Sequence, residues 1–171
     1  MPHRCRPSDV LLQPGEYFVG DARHRIRTVL GSCVSVVLWC AQRRIGAMSH
    51  YLLACRPPAG TLDASPSGRY GEDALALMLA ELERRGVRRT QCEAKVFGGG
   101  RMFSDVPAAG QIDVGRRNGE AARLLLRAHG IALVSESLFG RGHRQILFDV
   151  ASGNVWCRQV RPLPPTANGS L

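Results

Sequence analysis

Short apolar runs rich in Val, Ile and Leu open the chain: Tyr17 to Gly20, Ile26 to Leu30, Val34 to Cys40 and Ile45 to Leu53, each separated from the next by a few polar residues. Runs of this length and composition predict strands, and the short connections predict one continuous antiparallel sheet. The period then changes. Leu75, Met78, Leu79 and Leu82 recur at helical spacing within Tyr70 to Arg85, and Gly86 follows as a stop. Nothing polar interrupts that stripe, so it reads as core packing. A strand through Ala94 to Phe97 runs into Gly98-Gly99-Gly100. A second helix is predicted over roughly Arg116 to His129, with Ala121, Leu125 and Ala128 on one face and Gly130 as its stop. Further strands are predicted at Ile131 to Ser135, Gln145 to Val150 and Val155 to Val160, the last two joined as a hairpin by the turn residues Ala151-Ser152-Gly153-Asn154.

Two helices set among strands with short connections predict a layered α/β sandwich: a mostly antiparallel sheet with two helices on one face. A single domain over residues 1–161 is expected, with a Pro/Gly/Ser-rich loop from Arg56 to Arg69. Residues 162–171 are too polar and Pro-rich to pack, so they are expected to form a disordered tail. No window approaches the ~20 apolar residues of a membrane-spanning helix. Pro7, Ser8 and Asp9, and then Gln13, Pro14 and Gly15, break up the first 20 residues, so no export signal is read there. A cytoplasmic protein with no membrane insertion is the expectation.

The net charge of +9 raises the question of nucleic acid, but 22 of the 23 basic residues are Arg and they are scattered. With ten aromatics in the whole chain there is no stacking platform, and no specific nucleic-acid partner is expected. The charge suits electrostatic steering toward an acidic protein instead. The six cysteines, Cys5, Cys33, Cys40, Cys55, Cys92 and Cys157, form no C-x-x-C pair and no zinc-ligand ladder. A reducing compartment is implied, and neither a metal nor a cofactor is called for. Gly98 to Gly100 lacks the Lys-Ser/Thr of a P-loop and reads as a tight turn.

Within Thr28-Val29-Leu30-Gly31-Ser32-Cys33-Val34, a cysteine follows a Gly-Ser pair at the junction of two predicted strands. A glycine there lets the backbone turn sharply and leaves N–H groups free, as an oxyanion hole beside a nucleophile requires, with the Cys33 N–H as the natural donor. A thiol of ordinary acidity is only about 3% ionised at neutral pH, so such a cysteine needs a base. His50 lies 17 residues later, on the strand that returns antiparallel to the one beginning at Cys33. The polar pair Ser49-His50 inside an apolar strand demands partners. Spacing alone leaves His50 open to reading as a hydrogen-bonded core histidine. Of His3, His24, His129 and His143, only His143 is a rival base. The papain-type signature is not met, since its preceding cysteine and following aromatic are absent and the histidine comes too early.

These residues resemble the chemoreceptor glutamine deamidases of bacterial chemotaxis, the CheD family. The likeness rests on Leu30-Gly31-Ser32-Cys33-Val34 followed by Gly46-Ala47-Met48-Ser49-His50. It extends to Gly68-Arg69-Tyr70, Gly98 to Phe103, Val114-Gly115-Arg116-Arg117-Asn118, and Gly140 with Arg144. The resemblance implies a protein-glutamine glutaminase acting on methyl-accepting chemoreceptors through a Cys thioester, with glutamate methylesterase activity as a side reaction. It also implies Cys33 as nucleophile, His50 as base, Thr28 as the orienting residue, and a CheC-type phosphatase as regulatory partner. Gly31, Ser32 and Ser49 are candidate substrate or oxyanion contacts. Phe139 stands where the family commonly has a second glycine. Two other readings remain: a non-catalytic regulatory module that binds receptor or phosphatase, and an Arg-rich nucleic-acid binder.

Overall fold

The structure of the protein, a computed structural model, describes residues 6–58, 65–102 and 112–163. Cys5, residues 59–64 of the predicted loop, Phe103 and residues 164–171 of the predicted tail lie outside the described residues. The strands are β1 (Ser8–Leu11), β2 (Tyr17–Asp21), β3 (His24–Leu30), β4 (Val34–Cys40), β5 (Ile45–Ser49), β6 (Glu93–Gly98), β7 (Ala132–Leu138), β8 (His143–Asp149) and β9 (Val155–Val160). The helices are α1 (Gly71–Arg84) and α2 (Val114–Ala128).

These strands form two sheets, not one. Four strands run in the order β1-β3-β8-β9 and five in the order β2-β5-β4-β6-β7. The continuous sheet expected from the first strands is therefore corrected: β3 leaves its sequence neighbours and pairs with β8, Thr28 opposite Ile146. The physical reason lies in its burial. β3 alternates buried Ile26, Thr28 and Leu30 with exposed neighbours, as suits a sheet covered on one side, whereas β4 is buried almost throughout and needs cover on both. Both helices pack on the five-stranded sheet. The layers are thus helices, five-stranded sheet, four-stranded sheet, with most strand pairs antiparallel and β1–β3 and β6–β7 parallel.

Two cores result. Val34, Val36, Leu38, Ala47 and Tyr51 meet Leu75, Met78, Leu82, Ala122 and Leu126 beneath the helices. Ile26, Leu30, Val37, Met48, Phe97, Ile146 and Phe148 fill the space between the sheets. The helix stops fall where expected. After α1 the Gly86 N–H bonds the Glu83 carbonyl and the Val87 N–H bonds the Leu82 carbonyl, with Gly86 at φ +76°. After α2 the same pattern recurs at Gly130 and Ile131. Both are Schellman closures, which require the left-handed conformation glycine adopts at no steric cost. Asp113 caps the start of α2 by accepting from the Arg116 N–H at 2.9 Å. The inner face of α2 is rotated from the expected one: Gly115, Asn118, Gly119, Ala122 and Leu126 are buried, Ala121 and Leu125 sit at the margin, and Ala128 is exposed. Three glycine and alanine positions give almost no hydrophobic signal, so the pattern pointed one residue off. The hairpin of β8 and β9 closes as predicted, with Phe148 opposite Val155.

Candidate active site

Leu30 ends a strand of one sheet and Val34 begins the central strand of the other, so Gly31-Ser32-Cys33 carries the chain across the seam between the sheets. All three carbonyls of this crossing are engaged. Gly31 accepts from the Gly100 N–H at 2.8 Å and Cys33 from the Gly99 N–H at 2.9 Å. Ser32 accepts from the Asn118 side-chain amide at 3.1 Å. Among the described residues, none other than Cys33's own sulfur accepts from the N–H groups of Ser32 or Cys33. The glycine run 98–100 is thus a structural brace for the cysteine loop. Gly98 stands at φ +115°, and a Cβ there would lie 2.2 Å from the Cys33 carbonyl oxygen.

His50 reaches the same seam from β5. Val34 and Tyr51 exchange both backbone hydrogen bonds, at 3.1 and 3.0 Å. That register places Cys33 and His50 on diagonal positions of adjacent strands. Cys33 packs against the core between the sheets and is partly accessible, while His50 is buried. The His50 backbone is pinned by the turn before β2, its N–H bonding the Glu16 carbonyl at 2.9 Å and its carbonyl accepting from Gly15 at 2.7 Å. From the opposite sheet, the buried Thr28 hydroxyl lies 2.7 Å from His50 Nδ1 and donates to the Leu12 carbonyl at 2.8 Å.

A hydroxyl has one proton. With that proton committed to Leu12, the Thr28 oxygen can only accept from His50, so Nδ1 carries the hydrogen and Nε2 keeps its lone pair. Burial lowers the His50 pKa to about 4, against a small opposing pull from Glu16. Burial likewise pushes the Cys33 thiol up, its own backbone N–H acting the other way. The resting pair is therefore neutral imidazole and neutral thiol.

The structure brings Thr28, His50 and Cys33 together with the Gly31-Ser32 turn. It does not bring in Ser49, whose buried hydroxyl accepts from the Val36 N–H at 3.2 Å and donates to the Val36 carbonyl at 3.4 Å. His143 lies half-buried on β8 opposite Val160, outside the cluster. Sequence reasoning missed two contributors. Leu12 acts only through its carbonyl, for which no side-chain signal exists. Asn118 does leave a signal, a polar residue on what proves to be the inner face of α2. Nearby, Phe139 occupies its glycine-like position at φ +67°, with its ring lying where a Cβ on Gly119 would come within 2.5 Å. The Arg123 guanidinium stacks 5.2 Å from that ring. Arg144, also buried, ties the same loop by donating to Ser137 Oγ, the Gly98 carbonyl and the Phe139 carbonyl.

A helix-covered double sheet whose seam carries a partly accessible thiol, with a hydrogen-bonded Thr28–His50 pair diagonal to it, defines the class: small layered α/β proteins with a cysteine at a sheet-to-sheet crossing. A family model described as CheD chemotactic sensory transduction matches residues 52–159. The "Probable chemoreceptor glutamine deamidase CheD 2" of Albidiferax ferrireducens is 57% identical over 166 residues, covering 95% of this chain and 94% of that protein. The "Probable chemoreceptor glutamine deamidase CheD 1" of Chromobacterium violaceum is 45% identical over 150 residues, covering 88% and 77%. The corresponding "CheD 3" of Dechloromonas aromatica is 45% identical over 150 residues, covering 86% and 85%. The chain belongs to the CheD family. The family match begins just beyond His50, and the alignment to the Albidiferax protein carries the kinship across Cys33 and His50. Among the described residues no helix is long and apolar enough to cross a membrane.

Proposed function

We propose that the protein hydrolyses glutamine side-chain amides on the cytoplasmic domains of methyl-accepting chemoreceptors, yielding glutamate and ammonia. The carrying observation is the hydrogen-bonded relay from the Leu12 carbonyl through Thr28 to His50, which leaves Nε2 as the proton-accepting nitrogen of a histidine set diagonally from a partly accessible thiol. His50 Nε2 takes the Cys33 proton as sulfur attacks the carboxamide carbon. The carbonyl π pair moves onto oxygen, where the Cys33 N–H receives it. Collapse of that intermediate breaks the C–N bond, and the imidazolium returns its proton to the departing nitrogen, which leaves as ammonia. Water then gives a proton to Nε2 and attacks the thioester. The C–S bond breaks, the thiolate is reprotonated by His50, and a carboxyl group is left on the receptor.

The same steps would open a glutamate methyl ester with methanol as leaving group, so methylesterase activity is part of the proposal. Receptors of this kind meet the protein in the cytoplasm, and a CheC-type phosphatase is the proposed regulatory partner. The +9 net charge favours encounter with acidic protein surfaces. The test is mass spectrometry of a receptor cytoplasmic domain incubated with wild type, Cys33→Ala and His50→Ala. Conversion of glutamine to glutamate by wild type and its loss in both variants is the expected result. A folded wild type that converts nothing on several receptors from its own organism would favour a non-catalytic regulatory module.

A further inference from the structure

Asn118 is 1% exposed, and its side-chain amide donates both hydrogens to carbonyls of two different segments. One goes to Ser32, before the cysteine, at 3.1 Å, and the other to Leu52, two residues past His50, at 2.8 Å. The helix end of this bridge is anchored too, because the Tyr51 hydroxyl donates to the Asn118 backbone carbonyl at 2.6 Å. The neighbouring carbonyls of Gly31 and Cys33 are held by backbone amides of the glycine run. Ser32 is the one whose orientation depends on a side chain.

In a trans peptide the C=O and the following N–H point in opposite directions. Drawing the Ser32 oxygen toward α2 therefore turns the Cys33 N–H away from α2, where no other described residue accepts from it. We propose that Asn118 is a positioning residue for acyl transfer: it locks the Ser32–Cys33 peptide so that the Cys33 N–H faces the developing oxyanion. The second bond, to Leu52, ties that peptide to the segment following His50 as well, beside the Val34–Tyr51 backbone pair that sets the register. The inference rests on the reading of Cys33 as nucleophile.

The test compares wild type, Asn118→Ala, Asn118→Ser and Cys33→Ala, all checked for folding by near-ultraviolet circular dichroism. Two reactions are followed: deamidation of a receptor cytoplasmic domain, and alkylation of Cys33 by iodoacetamide, mapped by peptide mass spectrometry. Alkylation needs the thiolate and no oxyanion donor. In the Asn118 variants kcat should fall about 10- to 100-fold, while KM and the rate and pH profile of alkylation stay within about 3-fold. An unchanged kcat, an alkylation rate that falls in step with kcat, or failure of both variants to fold would each overturn the inference and leave Asn118 an ordinary core bond. Deamidation that survives in Cys33→Ala would instead sink the nucleophile assignment itself. Activity lost in Cys33→Ala but retained in the Asn118 variants would refute the positioning role alone.

Discussion

Thr28 Oγ1 and His50 Nδ1 stand 2.7 Å apart across the space between two sheets, and the Thr28 proton is already given to the Leu12 carbonyl. This one contact decides the histidine's tautomer, its ring orientation and the side from which it can take a proton. It also satisfies a buried polar group that would otherwise cost on the order of 1–3 kcal/mol.

Thr28→Val keeps the shape and removes the hydroxyl. It should lower kcat for receptor deamidation by about 10- to 100-fold, less than the ~10²–10⁴-fold of a general base itself because the imidazole stays in place, and reduce stability by roughly 1–2 kcal/mol in urea melts. Thr28→Ser restores the oxygen and should recover most of both. Full activity in the valine variant would remove Thr28 from the mechanism.

Acid stability should report on His50. Its pKa is near 4 in the folded protein and about 6.5 when exposed, so the unfolded chain binds the extra proton first. Folding stability is therefore complete above about pH 6.5 and declines as pH falls toward 4, by on the order of 2–3 kcal/mol. His50→Gln should flatten that part of the curve in denaturant titrations at pH 7.5, 6 and 5. An equally steep decline in the variant would assign the effect to other groups.

Free Cys33 should alkylate slowly near neutral pH, with a rate still climbing above pH ~8.5, because burial raises its thiol. A plateau between pH 6 and 8 would mean a preformed thiolate–imidazolium pair and would contradict the neutral pair described above.

Gly98→Ala should be severely destabilising, by about 3 kcal/mol or more, since it combines a forbidden φ with backbone overlap. The added Cβ would meet the Cys33 carbonyl at 2.2 Å, so any folded fraction should also have lost deamidase activity. A thermal melt within a few degrees of wild type would show that the brace can yield.

Local pattern alone settled a good deal of this protein. The helical stripe of Leu75, Met78 and Leu82, the glycine stops at 86 and 130, and the closing hairpin are short-range features, written in periodicity and in residues suited to positive φ. The cysteine at a strand junction and a histidine on the returning strand were legible for the same reason. What only the tertiary structure decided is how the strands divide. β3 and β4 look alike as apolar runs, yet they belong to different sheets, because membership depends on which faces end up covered. From that division comes the placement of Thr28 on the far side of His50 and of Asn118 behind Ser32. Those contacts join residues 22 and 86 positions apart, and no local propensity encodes such a pairing.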